Sequence, residues 1–294
     1  MPNVQIIDTF NAFLSYWSRV KDKPIDDQVD NWATKYMSSW PDLMAKQLDD
    51  YSTQNLDWRQ IARERVFPHF TERLSDMQQA HQNLIELCVP IYSKIQQAFE
   101  FESNVLLVIY VGIGCGAGWA TTFRNTPAVL FGLENIAESG WNESEAITGL
   151  VAHELGHLVH YSWRAQHGKP IDSGSWWQLY EEGFAQRCES IVLEPTPWHQ
   201  TSNGKNKEWL NWCQSHKSWL ASEFLRTVDV GESVSPFFGS WFKIGGKSET
   251  GYFLGCEAIK EVEKQFNLKE IALLEDVEAY FKPVLKQMLL NQGG

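Results

Sequence analysis

Residues 153–157 read His-Glu-Leu-Gly-His, and two histidines four apart act together only if the chain between them is helical. Four residues advance a helix by about one turn, so both imidazoles leave one face about 6 Å apart along the axis. Two ring nitrogens so placed can reach one Zn²⁺ at about 2.0–2.1 Å each. The flanking sequence signals that helix on its own. Asn142 is a candidate N-cap, with Glu145 three residues on as its capping-box partner, and apolar spacing continues to about Ala165. Gly168 and Pro170 then stop it. Ala146, Leu150, His153 and His157 share one stripe, and a polar pair on an apolar stripe needs partners once buried. A solvated helix that carried the pattern by chance would have no need of this context. Glu154, beside the metal face, is the natural base to take a proton from an attacking water.

The rest of the chain is read around that helix. The first hundred residues show helical spacing in Ile6-Ile7-Phe10-Phe13-Leu14-Trp17 and in Leu74-Met77-His81-Leu84-Ile85-Leu87, punctuated by Pro68 and Pro90. Val105 to Val111 is a continuous β-branched run, which suits a buried strand, and Ala128 to Gly132 reads as a second, edge strand. Gly112, Gly114 and Ala117 raise a dinucleotide-binding fingerprint, but too few residues separate Gly118 from Pro127 for the helix that fingerprint requires. A glycine turn between strands is the better reading. A helix is expected from Ser175 to Leu193, then a polar loop from Pro195 to Lys207 and a Trp-rich helix holding Trp209, Trp212 and Trp219. Gly231 to Thr250 is expected to be irregular, and the chain is helical from Gly251, interrupted near Asn267 and Pro283. The fold class is therefore mainly α with a small β-sheet (α+β). A helical region at 1–100 precedes a core at 101–294, and the two are expected to form one compact unit.

A third ligand decides what kind of zinc site this is. His160 and Trp163 occupy the positions where metzincins carry a glycine and a third histidine, which excludes that class. Downstream lies Tyr180-Glu181-Glu182-Gly183-Phe184-Ala185. This resembles the N-E-G-F-A signature of the gluzincin aminopeptidases. The resemblance implies a gluzincin, thermolysin-like zincin core with one Zn²⁺ per chain held by His153, His157 and Glu182. Twenty-four residues separate Glu182 from His157, against about eighteen in those enzymes, and Glu181 is the reserve. Glu189, seven residues past Glu182, is either an acceptor for a ligand imidazole or a surface ion-pair partner. His160 suits a core or supporting role, and His167 a cap at the helix end.

Phe131-Gly132-Leu133-Glu134-Asn135 is similar to the G-x-M-E-N motif of the same enzymes, whose Glu holds the substrate amine. Glu134 and Gly132 are thus candidate substrate contacts. An edge strand open to an extended peptide is the simpler account of this stretch. Tyr252, at a Gly-Tyr-x-x-Gly helix start, is the candidate oxyanion donor, with His216 as runner-up. The implied activity is peptide hydrolysis on a peptide or protein substrate, with Glu154 moving the proton. The rivals are a zinc-binding recognition or regulatory module without turnover, and a zinc that only braces helices.

Composition narrows the partners. Lys and Arg number 25 against 37 Asp and Glu, a net charge of −12 without any basic stripe, which argues against nucleic acid. Residues 101–200 alone hold four basic and eleven acidic groups. That local field favours a divalent cation and a substrate's amino terminus. The amino-terminal sequence MPNVQIIDTF is not that of a signal peptide, and no stretch reads as membrane-spanning. Five scattered cysteines without a CxxC pair suit reduced thiols in a cytoplasmic protein.

Overall fold

A computed structural model describes residues 4–193, 198–201, 208–239 and 241–290. It is mostly helical, with one mixed four-stranded sheet. The elements run β1 (Val4–Asp8), α1 (Phe10–Val20), α2 (Ile25–Asn31), α3 (Pro41–Thr53), α4 (Trp58–Ile61), α5 (Phe70–Phe99), β2 (Val105–Tyr110), β3 (Ala120–Phe123) and β4 (Thr126–Gly132). The helices α6 (Leu133–Ser139), α7 (Ser144–Gln166), α8 (Ser175–Leu193), α9 (Trp209–Ser215), α10 (Lys217–Asp229), α11 (Thr250–Val262), α12 (Leu268–Ala272) and α13 (Val277–Leu290) follow. Internal contacts divide the chain into two compact units, Met1–Pro90 with Glu102–Thr148 and Ile91–Phe101 with Gly149–Gly294.

The first unit is built on the sheet, in the order β1-β2-β4-β3. All six residues of β2 are buried, as a central parallel strand demands. Ile6 and Ile7, expected in a helix, instead pair in parallel with Leu107 and Val108. Helical spacing and a strand share apolar neighbours over so short a run, and here the pairing with β2 wins. The helix starts only at Phe10, beyond Thr9, whose hydroxyl donates to the Ile109 carbonyl at 3.0 Å. Its face buries Phe13 and Trp17 edge-on against Phe70, with ring centroids 5.5 and 5.3 Å apart.

The strand ending at Gly132 is not an edge strand. On one side it pairs with β2, and on the other with β3 and then with the carbonyls of Trp119 and Ala117. The glycine-rich chain after β2 folds back to cover it. Arg124 and Asn125, at φ 49° and 59°, close the β3–β4 hairpin with both central residues left-handed, the conformation that matches strand twist. Pro90 lies inside α5 rather than ending it. Both Pro90 and Glu86, whose carbonyl loses its partner there, face solvent, so water can satisfy it. Pro283 likewise sits within α13.

The second unit packs helices. Arg164 of α7 is buried, and its guanidinium donates to the carbonyls of Pro170, Ala272 and Leu274 at 2.8–2.9 Å beneath the Trp177 ring. It thereby satisfies the carboxyl end of α12. The helix α8 matches its expected bounds, whereas the Trp-rich segment forms two helices, α9 and α10, that meet at His216. Of the expected loop at 195–207, only 198–201 fall among the described residues, and they include a short 3₁₀ turn at His199–Thr201. No helix among the described residues is long and apolar enough to cross a membrane.

Candidate metal centre

Two close helix crossings assemble the site. At the first, a Cβ on Gly156 of α7 would lie 2.8 Å from the Cys188 Cβ and 3.1 Å from the Ala185 Cα. At the second, a Cβ on Gly183 would lie 2.2 Å from the Gly255 carbonyl carbon. The glycine of the histidine motif thus seats α8 on α7, and the glycine after Glu182 seats α8 on α11. The amino-terminal turn of α7 starts later than its sequence signals imply. The Asn142 side chain donates to Gln79 rather than capping, and the Glu143 carbonyl accepts the first helical bond, from Ile147.

This packing brings His153, His157 and Glu182 together. Both histidine Nε2 atoms face one carboxylate oxygen, Glu182 Oε2, at 3.2 and 3.3 Å. The imidazoles are buried, with ring centroids 5.0 Å apart. Burial alone would push His157 down, but the Glu182 carboxylate outweighs it and lifts the ring to about 9. Burial works on Glu182 in the opposite sense, and the two histidines hold its carboxyl far below the ordinary range. Among the described residues no fourth ligand atom joins this trio.

The outward nitrogens face carboxylates too. His153 Nδ1 lies 3.8 Å from Glu189 Oε2, and His157 Nδ1 lies 3.9 Å from Glu181 Oε1. Both Nδ1 atoms are buried without a hydrogen-bond partner among the described residues. Ligand histidines characteristically send their second N–H to a carboxylate, which fixes the tautomer with the other nitrogen free for metal. Glu181 is itself held by the Tyr161 hydroxyl, from the next turn of α7. Glu189 accepts from the His199 backbone N–H at 2.9 Å, from its Nδ1–H at 2.8 Å and from Gln186 at 2.8 Å. The paired glutamates of α8 therefore split their tasks: Glu182 faces both Nε2 atoms, while Glu181 stands behind His157.

Around the trio lie further titratable groups. Glu154 is buried on α7 between the two histidines. The Tyr252 ring centroid is 5.4 Å from that of His153. Burial and the charges of Glu182, Glu249 and Glu154 raise its phenol well above the ordinary value, so it keeps its proton and can donate. Glu249, at the amino end of α11, is pushed up to about 7 by burial, opposed by His199 and reinforced by Glu182.

His160 is no ligand. Tyr180 gives its proton to the Ile271 carbonyl, so His160 Nε2–H donates to the tyrosine oxygen at 2.8 Å. Burial, Arg164 and His157 depress its ring well below the usual value. His167 donates to the Trp163 carbonyl at the end of α7, and His216 stacks on Trp212 at 4.2 Å, engaged by that residue's carbonyl.

Glu134 and Gly132 belong to the first unit. The Glu134 carboxylate is 1% exposed and accepts from Gly112 N at 2.8 Å and Gly114 N at 3.1 Å, and Asn135 accepts from Gly116. A Cβ on Gly132 would lie 2.5 Å from the Gly116 carbonyl oxygen. The Gly-Leu-Glu-Asn stretch therefore fastens the glycine turn after β2. Burial raises the Glu134 carboxyl to about 7 against these donors.

Sequence reasoning missed His199, Gln186, Tyr161 and Glu249. Only Tyr161 carried a signal, since it stands one turn beyond His157 on the same face. The packing of α7 and α8 thus gathers three side chains, His153, His157 and Glu182, that could hold one metal ion. No family model, curated protein or solved structure matches the chain.

Proposed function

We propose that the chain is a zinc-dependent peptidase of gluzincin type. One observation carries the reading. Ligands about 2.0–2.1 Å from a tetrahedral zinc stand about 3.3–3.4 Å from one another, and Glu182 Oε2 lies 3.2 and 3.3 Å from the two Nε2 atoms. Three protein ligands with a fourth position open mark a catalytic rather than a structural site. Buried Nδ1 atoms facing carboxylates fit the same ion. The resemblance of Glu181-Glu182-Gly183-Phe184-Ala185 and of the histidine motif to the gluzincin aminopeptidases supports the class.

Zinc, when bound, supplies Lewis acidity toward water and a peptide carbonyl. His153, His157 and Glu182 hold it, and Glu189 and Glu181 orient the imidazoles. The Glu154 carboxylate accepts the proton of the attacking water and returns it to the leaving amine. Tyr252 donates from its hydroxyl to the oxygen that gains charge.

The test is cleavage of a mixed peptide library by zinc-loaded protein, read by mass spectrometry beside Glu154→Gln. Cleavage by wild type alone, with zinc retained by both, is expected. Equal cleavage by both proteins, or by neither, overturns the proposal.

A further inference from the structure

One carboxylate in the second unit has no task in this scheme. Glu249 is only 8% exposed, yet among the described residues no hydrogen bond or ion pair reaches its side chain. It caps nothing, although it stands at the N-cap of α11. Its backbone is left-handed, φ 61° and ψ 23°, a conformation that glycine or asparagine would adopt far more readily. A carboxyl so nearly buried that makes no cap has no task in an ordinary helix start. Further along the same helix, the Gly183–Gly255 crossing seats α11 on α8. Tyr252, one turn on, has its ring beside His153, and Glu249 interacts electrostatically with Glu182, His199 and Tyr252. Glu249 therefore lies in the electrostatic neighbourhood of Glu182 and His199, one helical turn from the tyrosine whose ring stands beside His153.

Acidic groups dominate its surroundings. Glu154, Glu182, Glu189 and Glu249 are all buried or nearly so in this one region. A divalent ion offsets two of these charges. The arginines of the flanking helices are committed elsewhere, Arg164 on three carbonyls and Arg187 on Glu263 at 2.7 Å. Glu189 accepts from His199 and Gln186 and faces His153 Nδ1. Among these four, Glu249 is the buried carboxylate that no hydrogen bond or ion pair from the described residues reaches.

We propose that Glu249 is a substrate-selecting anion that takes an ammonium or guanidinium group of a bound peptide, either its α-amine or a basic side chain beside the scissile bond. This deepens the peptidase reading and rests on it.

The experiment uses binding, so that it does not depend on turnover. Zinc-loaded Glu154→Gln protein is titrated by calorimetry with three probes: tetra-alanine amide, its N-acetyl form, and N-acetyl tetra-alanine amide with one alanine replaced by lysine. We expect at least one cationic probe to bind tenfold or more tighter than the neutral N-acetyl peptide. The tighter arm tells α-amine from side chain. Adding Glu249→Gln should abolish that preference with the zinc content unchanged. Glu249→Asn is the second variant. It suits the left-handed backbone, should melt no lower than the parent, and should abolish the preference equally. A preference that survives both substitutions, or no preference in the parent, overturns the assignment. The peptidase reading fails separately, if wild type cleaves nothing in the library while these titrations still show the charge preference.

Discussion

Gly183→Ala separates the packing of the site from its metal. An ideal Cβ at residue 183 would stand 2.2 Å from the Gly255 carbonyl carbon, 2.5 Å from its oxygen and 2.6 Å from its Cα. Ordinary contact begins at 3.4 Å, so the backbones of α8 and α11 must part by about 1.2 Å along that line. No rotamer can relieve it, because every opposing atom is main chain. Overpacking of this kind costs about 1–3 kcal/mol, and a backbone clash belongs at the upper end. Alanine recovers about 1 kcal/mol of helix propensity over glycine. The net is about 2 kcal/mol, a fall in Tm of roughly 4–8 °C for a cooperative unit of 150–250 residues.

The functional consequence is divided. His153, His157 and Glu182 are set by the crossing at Gly156, Ala185 and Cys188, which the substitution does not touch. Zinc affinity should stay within about tenfold of wild type. Tyr252 rides on α11 and is displaced by about 1 Å, a misplacement that can cost about 10²-fold in rate. The assays are thermal unfolding by circular dichroism, zinc titration against a competing chelator, and peptide cleavage. A variant that melts and cleaves like wild type would refute the claim that this crossing positions the donor. One that loses zinc and activity in equal measure would show that the two crossings are not independent.

Three other outcomes follow from the same geometry. Glu154→Gln should keep one zinc per chain and lower kcat by about 10²–10⁴, the usual worth of a positioned proton acceptor; parallel zinc analysis and cleavage kinetics check it. Metal binding must displace the proton that Glu182 holds on His157, whose ring lies at about 9. Zinc affinity should therefore fall by up to about tenfold for each pH unit below that value and level off above it, read by calorimetry across a pH series. Glu189→Ala strips His199 of its acceptor inside the core and should cost about 3–5 kcal/mol by urea unfolding of the metal-free protein. Burial lowers the His199 ring but Glu189 and its neighbours raise it above the usual value. Its contribution to stability is thus complete below pH of about 6.5 and is lost as pH rises through the folded value, so the penalty should be largest in acid and shrink in alkali.

Local chemistry made part of this molecule legible and chain reversal hid the rest. The helix α8 is bounded by signals within a few residues of its ends, and Ser175–Leu193 could be read directly. The meeting of His153, His157 and Glu182 was legible because two members share one turn and the third precedes a glycine that must meet another backbone. Which backbone it meets was not, since Gly255 lies 72 residues further along. The strand at Ile6 and Ile7 was hidden for a similar reason. Its partner, Leu107–Val108, is a hundred residues away, and apolar spacing over so few positions suits a strand and a helix equally. The strand β4 read as an edge because nothing local shows that the glycines after β2 bring Ala117 and Trp119 back along it. Glu249 is the extreme case. In sequence it is one acidic residue before a helix, where an acid needs no explanation because the helix dipole favours it. Only the left-handed backbone and the burial separate it from such an acid. Both belong to the folded chain and not to the local sequence, so the helix start alone does not account for this residue.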